Sequence, residues 1–179
     1  MRYFIFLFAF FFYSSSEAQD TVWLLVDTQK KIIQVKQSEQ ILATFEHVSL
    51  GRNGAKHKQK SGDDITPIGT YKIAYANDKS HFRKFFGLNY PSRYDAGLAL
   101  YSERISFAEY SAIMQAHRNN LLPPQNTVLG GQIGIHGLGN GNQKVHGLYD
   151  WTHGCVALSN RQIDRLAKWV YKGMRVEIK

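Results

Sequence analysis

Gln132-Ile133-Gly134-Ile135-His136-Gly137 and, after a run of glycines and asparagines, Tyr149-Asp150-Trp151-Thr152-His153-Gly154-Cys155-Val156-Ala157-Leu158 form the stretch on which the reading of this chain turns. The first piece reads as a short buried strand that delivers His136 to its end. Gly137, Gly139 and Gly141, interleaved with Asn140 and Asn142, predict a loop. The chain then returns to His153, Gly154 and Cys155, and the small apolar residues 156–158 fix that turn against the core. A helix is predicted from Ser159, where Gln162 completes a capping box and Ile163, Leu166, Ala167 and Val170 form one stripe. Gly173 closes it, and residues 175–178 read as a last strand.

Working outward, residues 21–26, 31–35 and 41–50 are rich in β-branched and aromatic side chains and read as strands, the first two separated by a polar turn. Residues 51–64 carry three glycines and no periodicity and read as a polar loop. Thr66-Pro67-Ile68-Gly69-Thr70-Tyr71 is a turn leading into another strand. A second helix is predicted from the capping box of Ser106 and Glu109, with Leu121-Leu122-Pro123-Pro124 ending it. No internal repeat and no low-complexity linker divides the chain. The expected fold is a single, mainly β domain with short helices, α+β in class.

The start of the chain bears on compartment. Met1-Arg2 is a short basic start, residues 3–13 are an unbroken apolar run, and Ser16 and Ala18 supply a small-x-small site. This order predicts a signal peptide over residues 1–18, leaving residues 19–179 as the mature domain. The run is too short for the roughly 20 residues of a spanning helix, and no later segment qualifies. The predicted setting is exported, in the periplasm or cell envelope. The formal net charge of +8 fits an anionic surface, but no compact basic helix and no aromatic-basic pattern suggests nucleic acid.

One cysteine in an exported chain has no intramolecular disulfide partner, so Cys155 reads as a small buried hydrophobe, half of an intermolecular disulfide, a leftover, or a reactive group. Its surroundings favour reactivity. A thiol near pKa 8.5 needs a base before it attacks a carbonyl. His136, His146 and His153 compete for that role. His146, in a Gly-flanked loop, reads as an exposed polar residue. His136 at a strand end and His153 two residues from the thiol both remain open, with His136 the more rigidly held. Gly154 lets backbone N–H groups approach a developing oxyanion. Three histidines and one cysteine could ligate zinc, but their spacings match no compact Cys/His pattern, so no metal is expected.

At this point the sequence resembles a known family. His136, fifteen residues, and then Thr152-His153-Gly154-Cys155-Val156 is similar to the signature of the L,D-transpeptidase (YkuD) catalytic domain. Thr66-Pro67-Ile68-Gly69-Thr70-Tyr71, Gly87-Leu88-Asn89-Tyr90-Pro91 and residues 129–137 add to the likeness, which looks closest to a YafK-like branch. Ala157 departs from the Arg or Asn that many members carry there. The resemblance implies a β-sandwich or barrel-like fold and a cysteine enzyme acting on peptidoglycan stem peptides, in cell wall biogenesis and cell shape. It implies Cys155 as nucleophile, His136 as general base and acid, and the Gly137 carbonyl orienting His136. His153 and Gly154 would line the oxyanion hole with Cys155, and Thr152 would support the turn. No cofactor is implied. The thioester would pass to an amine, or to a wall-attached protein, or to water as in an L,D-carboxypeptidase or amidase; a lapsed, wall-binding module is the remaining reading.

Overall fold

Alternating apolar residues build the first strands, as the computed structural model shows for residues 21–179. The expected signal segment lies outside these described residues. β1 (Val22–Asp27) pairs antiparallel with β2 (Ile32–Gln37), matching Leu24 with Val35 and Val26 with Ile33, all four fully buried. β3 (Gln40–Phe45) completes this antiparallel set. The expected loop at 51–64 instead contains β4 (Ala55–Lys56), which pairs in parallel with β5 (Thr66–Pro67). Residues 57–65 are clamped from inside by a buried pair, Lys58 with Asp63, whose carboxylate also accepts from the N–H groups of Gln59, Lys60 and Ile65. Burial alone would raise the Asp63 carboxyl, but Lys58 and these backbone donors outweigh it and hold it below its usual value.

β6 (Gly69–Asn77) joins two halves of the sheet. Its first part pairs with β10 (Arg175–Ile178) and its second with β7 (Phe85–Leu88), with a register shift between Ile73 and Tyr75. β8 (Gly134–His136) and β9 (Val156–Ala157) follow, giving the order β3-β2-β1-β10-β6-β7-β8-β9. The sheet is open, with β3 at one end and β9 at the other. The fold is mainly β with three short helices, and the barrel alternative does not hold.

α1 (Arg93–Tyr101) was not anticipated from the sequence; it has the Ser92/Asp95 capping box. Buried Asp95 also accepts from the Tyr71 hydroxyl at 3.1 Å and so ties the helix to β6. α2 (Phe107–Arg118) starts at its predicted Ser106 cap. α3 (Asn160–Leu166) starts at Ser159 as predicted but ends before Val170. Lys168 and Trp169 donate to carbonyls three residues back, a tightened turn that lets Met174 reach the core and β10 enter the sheet. No described helix is long and apolar enough to cross a membrane.

Candidate active site

Strand pairing brings the two candidate groups together. β8 and β9 run parallel, with Ile135 beside Val156 and His136 beside Ala157. Side chains alternate faces along a strand, so Cys155, two residues before Ala157, shares the His136 face at the diagonal position. Both line one groove of about 720 Å³ with Tyr75, Phe82, Gln132, Trp151 and His153. The serpentine order of the fold matters here: β8, which ends at His136, and β9, which directly follows Cys155, are neighbours although residues 137–155 lie between them.

His136 is 2 % exposed, packed against Phe82 with ring centroids 4.1 Å apart and edge-on to Trp151. Its Nδ1–H donates to the Gly137 carbonyl at 2.7 Å, which leaves Nε2 as the unprotonated nitrogen. Burial lowers its pKa to about 4, against the smaller raising effect of that carbonyl. It is therefore a neutral imidazole at neutral pH. The space beside Gly137 is filled: a Cβ there would lie 2.6 Å from the Phe82 carbonyl oxygen.

Cys155 is half-buried as a residue and lines the groove. Burial pushes the thiol up to about 11, opposed by the Gly134 N–H and by the Lys58 ammonium. Sγ–H donates to the Gln132 carbonyl at 3.5 Å, and Gln132 holds a left-handed φ of 56°. The site thus rests as thiol and neutral imidazole rather than as a preformed ion pair.

The turn before the thiol is held by Thr152, whose Oγ1 donates to the Cys155 carbonyl at 2.7 Å and accepts from the Gly154 N–H at 3.1 Å. Gly154 has φ +127°, and a Cβ there would meet the Ile65 carbonyl oxygen at 2.7 Å, so only glycine fits without strain. His153 points to the rim, where its Nδ1 pairs with Asp64 Oδ1 at 2.7 Å. His146 is a correction. It is buried rather than exposed, lies outside this groove, and contacts Ser49 Oγ at 3.3 Å through Nδ1. A contact across 97 residues turns a Gly-flanked loop inward, which local sequence does not reveal. Arg52, Tyr75, Lys79, His81 and Phe82 also line the groove and were not foreseen; only the Thr66–Tyr71 motif hinted that this upstream region mattered. Among the described residues no three His, Cys, Asp or Glu side chains converge to hold a metal.

Residues 21–178 match the L,D-transpeptidase catalytic domain, YkuD. The chain belongs to that family. The L,D-transpeptidase fold is also found in solved structures. The helical cell shape determining protein Pgp2 from Campylobacter jejuni aligns with TM-score 0.60 at 20 % identity, over 89 % of this chain and 47 % of that one. Bd1075 from Bdellovibrio bacteriovorus aligns with TM-score 0.56 at 19 % identity, over 92 % and 50 %. An Enterococcus faecium L,D-transpeptidase C442S mutant aligns with TM-score 0.52 at 9 % identity, over 89 % and 50 %. The chain spans about half the length of these solved relatives, and at such identities the likeness is one of fold. No curated protein matches the sequence.

Proposed function

We propose that this L,D-transpeptidase-family chain is an exported acyltransferase of peptidoglycan, with Cys155 as nucleophile and His136 as its base and acid. The observation that carries the reading is the buried, neutral His136, its Nδ1–H locked on the Gly137 carbonyl and its ring on the Cys155 face of the same groove. As Sγ attacks the carbonyl of an L,D-peptide bond in a stem peptide, Nε2 takes the thiol proton. The tetrahedral oxyanion takes a hydrogen bond from the Cys155 N–H. The Gly154 N–H is engaged by Thr152, so Gly154 and Thr152 shape the turn, and His153 flanks it at the rim. Collapse breaks the C–N bond, and the departing D-amino acid takes the proton from Nε2. An amine acceptor, on a second stem or a wall-attached protein, then attacks the thioester, gives its proton to His136, and the sulfur leaves and is reprotonated.

Because burial pushes the thiol up and keeps His136 neutral, the proton passes from Sγ to Nε2 within the acylation step rather than resting on the imidazole beforehand. The test is mass spectrometry of muropeptides after incubating the protein, and its Cys155→Ala variant, with disaccharide-tetrapeptide ending in D-Ala. Cross-linked dimer that depends on Cys155 is the expected product. Cys155-dependent tripeptide without dimer would assign water as the acceptor, and no turnover with either would overturn the proposal for this substrate.

A further inference from the structure

The groove has a second lobe, of about 430 Å³, and Arg52, His81, Phe82 and Trp151 line both. The lobe holding Cys155 adds Lys79, His136 and His153 to the basic side chains of the lining, and neither lobe has an Asp or Glu in its wall. A groove with cations and no wall carboxylate selects an anionic ligand. Arg52 is the one permanently charged side chain at the junction of the lobes.

Its placement is fixed from below. The Arg52 N–H donates to the Thr152 carbonyl at 3.1 Å, and Gly51 bridges to Thr152. The Cα of Arg52 is thereby tied to the turn that carries the nucleophile. Above the backbone the side chain is half exposed and lightly engaged. Its contact among the described residues is Nη1 to Asp64 Oδ2 at 3.4 Å, a long hydrogen bond. The other Asp64 oxygen goes to His153 at 2.7 Å. Asp64 is itself held in a left-handed conformation, φ 54°, with its carbonyl oxygen packed against Gly51. So the carboxylate steadies the guanidinium without saturating it. Of five N–H donors one is used, and the rest form the planar fork that grips a carboxylate at two points.

We infer that Arg52 receives a free carboxylate of the donor stem peptide and makes it a specificity-determining residue of this site, an assignment that rests on the stem-peptide reading above. Two groups of a stem can supply that chemistry: the α-carboxylate of the terminal D-amino acid and the side-chain carboxylate of a diamino acid at the third position. In either case the peptide crosses Arg52 as it runs between the lobes, with Trp151 and Phe82 as apolar walls.

The experiment uses the Cys155→Ala protein, so that binding is read without turnover. Calorimetric titration compares a tetrapeptide stem with free carboxylates against the same stem amidated at the terminus, or at the diamino acid, each with and without Arg52→Gln. Free acid is expected to bind about tenfold or more tightly than the amide that blocks the contacting group, in line with a charge-assisted pair. In Arg52→Gln the acid and amide are expected to bind alike, and Arg52→Lys to recover part of the difference. Thermal melting of each variant guards against misfolding. Equal affinity for acid and both amides in the Arg52 protein, or a preference for acid that survives Arg52→Gln, overturns the Arg52 assignment alone. Binding of neither peptide overturns the stem-peptide reading and the assignment with it.

Discussion

Two histidines sit within the same groove and are held in opposite ways. His136 is the last residue of β8, shielded by Phe82 and Trp151, and its Nδ1 is capped by a backbone carbonyl. His153 stands at the rim with most of its side chain in solvent, and its Nδ1 is capped by the carboxylate of Asp64. The same side chain therefore receives two chemistries. Burial keeps the first neutral and fixed in one tautomer, whereas a charge partner in water gives the second a link to Arg52. A base needs the former, and the rim of a substrate groove suits the latter.

The largest effect should break this comparison if it is wrong. His136→Ala is expected to lower kcat/KM by about 10³-fold, the span of a lost general base, while His153→Ala lowers it by less than about tenfold. Equal losses in steady-state muropeptide assays would erase the distinction. Stability against pH sharpens it. His136 has a folded pKa of about 4 against 6.5 unfolded, so between those values the unfolded chain binds a proton the folded one refuses. Unfolding free energy therefore falls as pH drops from about 6.5 to 4, by on the order of 3 kcal/mol, and is flat above it. Denaturant titrations should show that fall, and His136→Gln should shrink it. His146, also lowered first by burial, adds to the slope in the same direction.

Gly154→Ala comes next. A Cβ 2.7 Å from the Ile65 oxygen on a backbone at φ +127° should cost about 2 kcal/mol and lower Tm by roughly 4–8 °C in calorimetry. Thr152→Val removes one hydroxyl that serves two backbone groups, and about 1–2 kcal/mol of stability with a roughly tenfold loss of kcat is expected. The smallest effect belongs to Asp64→Asn. Its interactions are exposed, so kcat should stay within about threefold. A larger fall would move His153 from the rim into the catalytic machinery.

Much of the site was legible because its signals are local. The strand ending at His136, the Thr152–Cys155 turn and the Ser159 cap lie within one stretch, and each carries its own chemistry. The rest is distant. Arg52 and Asp64 come from a polar stretch with no periodicity, and only the pairing of residues 51 and 152 sets them at the groove. Lys58 looked like any loop lysine, yet it is 4 % exposed because it pairs with Asp63, whose carboxylate is itself held by three backbone N–H groups. α1 escaped notice because Tyr94 and Tyr101 face solvent and leave no clean apolar stripe, although Ser92 and Asp95 form a capping box. Open sheet rather than barrel is a matter of long-range pairing, which no local pattern encodes.

The place of β10 has a further consequence for the order in which the molecule can assemble. β10 lies between β1 and β6, with Leu24 beside Val176 on one side and Tyr71 beside Val176 on the other. Until Arg175–Ile178 is available, three strands and four strands have no shared edge to zip along. Closing that seam joins residues far apart in sequence and so comes late. The topology itself thus withholds the final latch until residues 175–178 are free to pair on both edges.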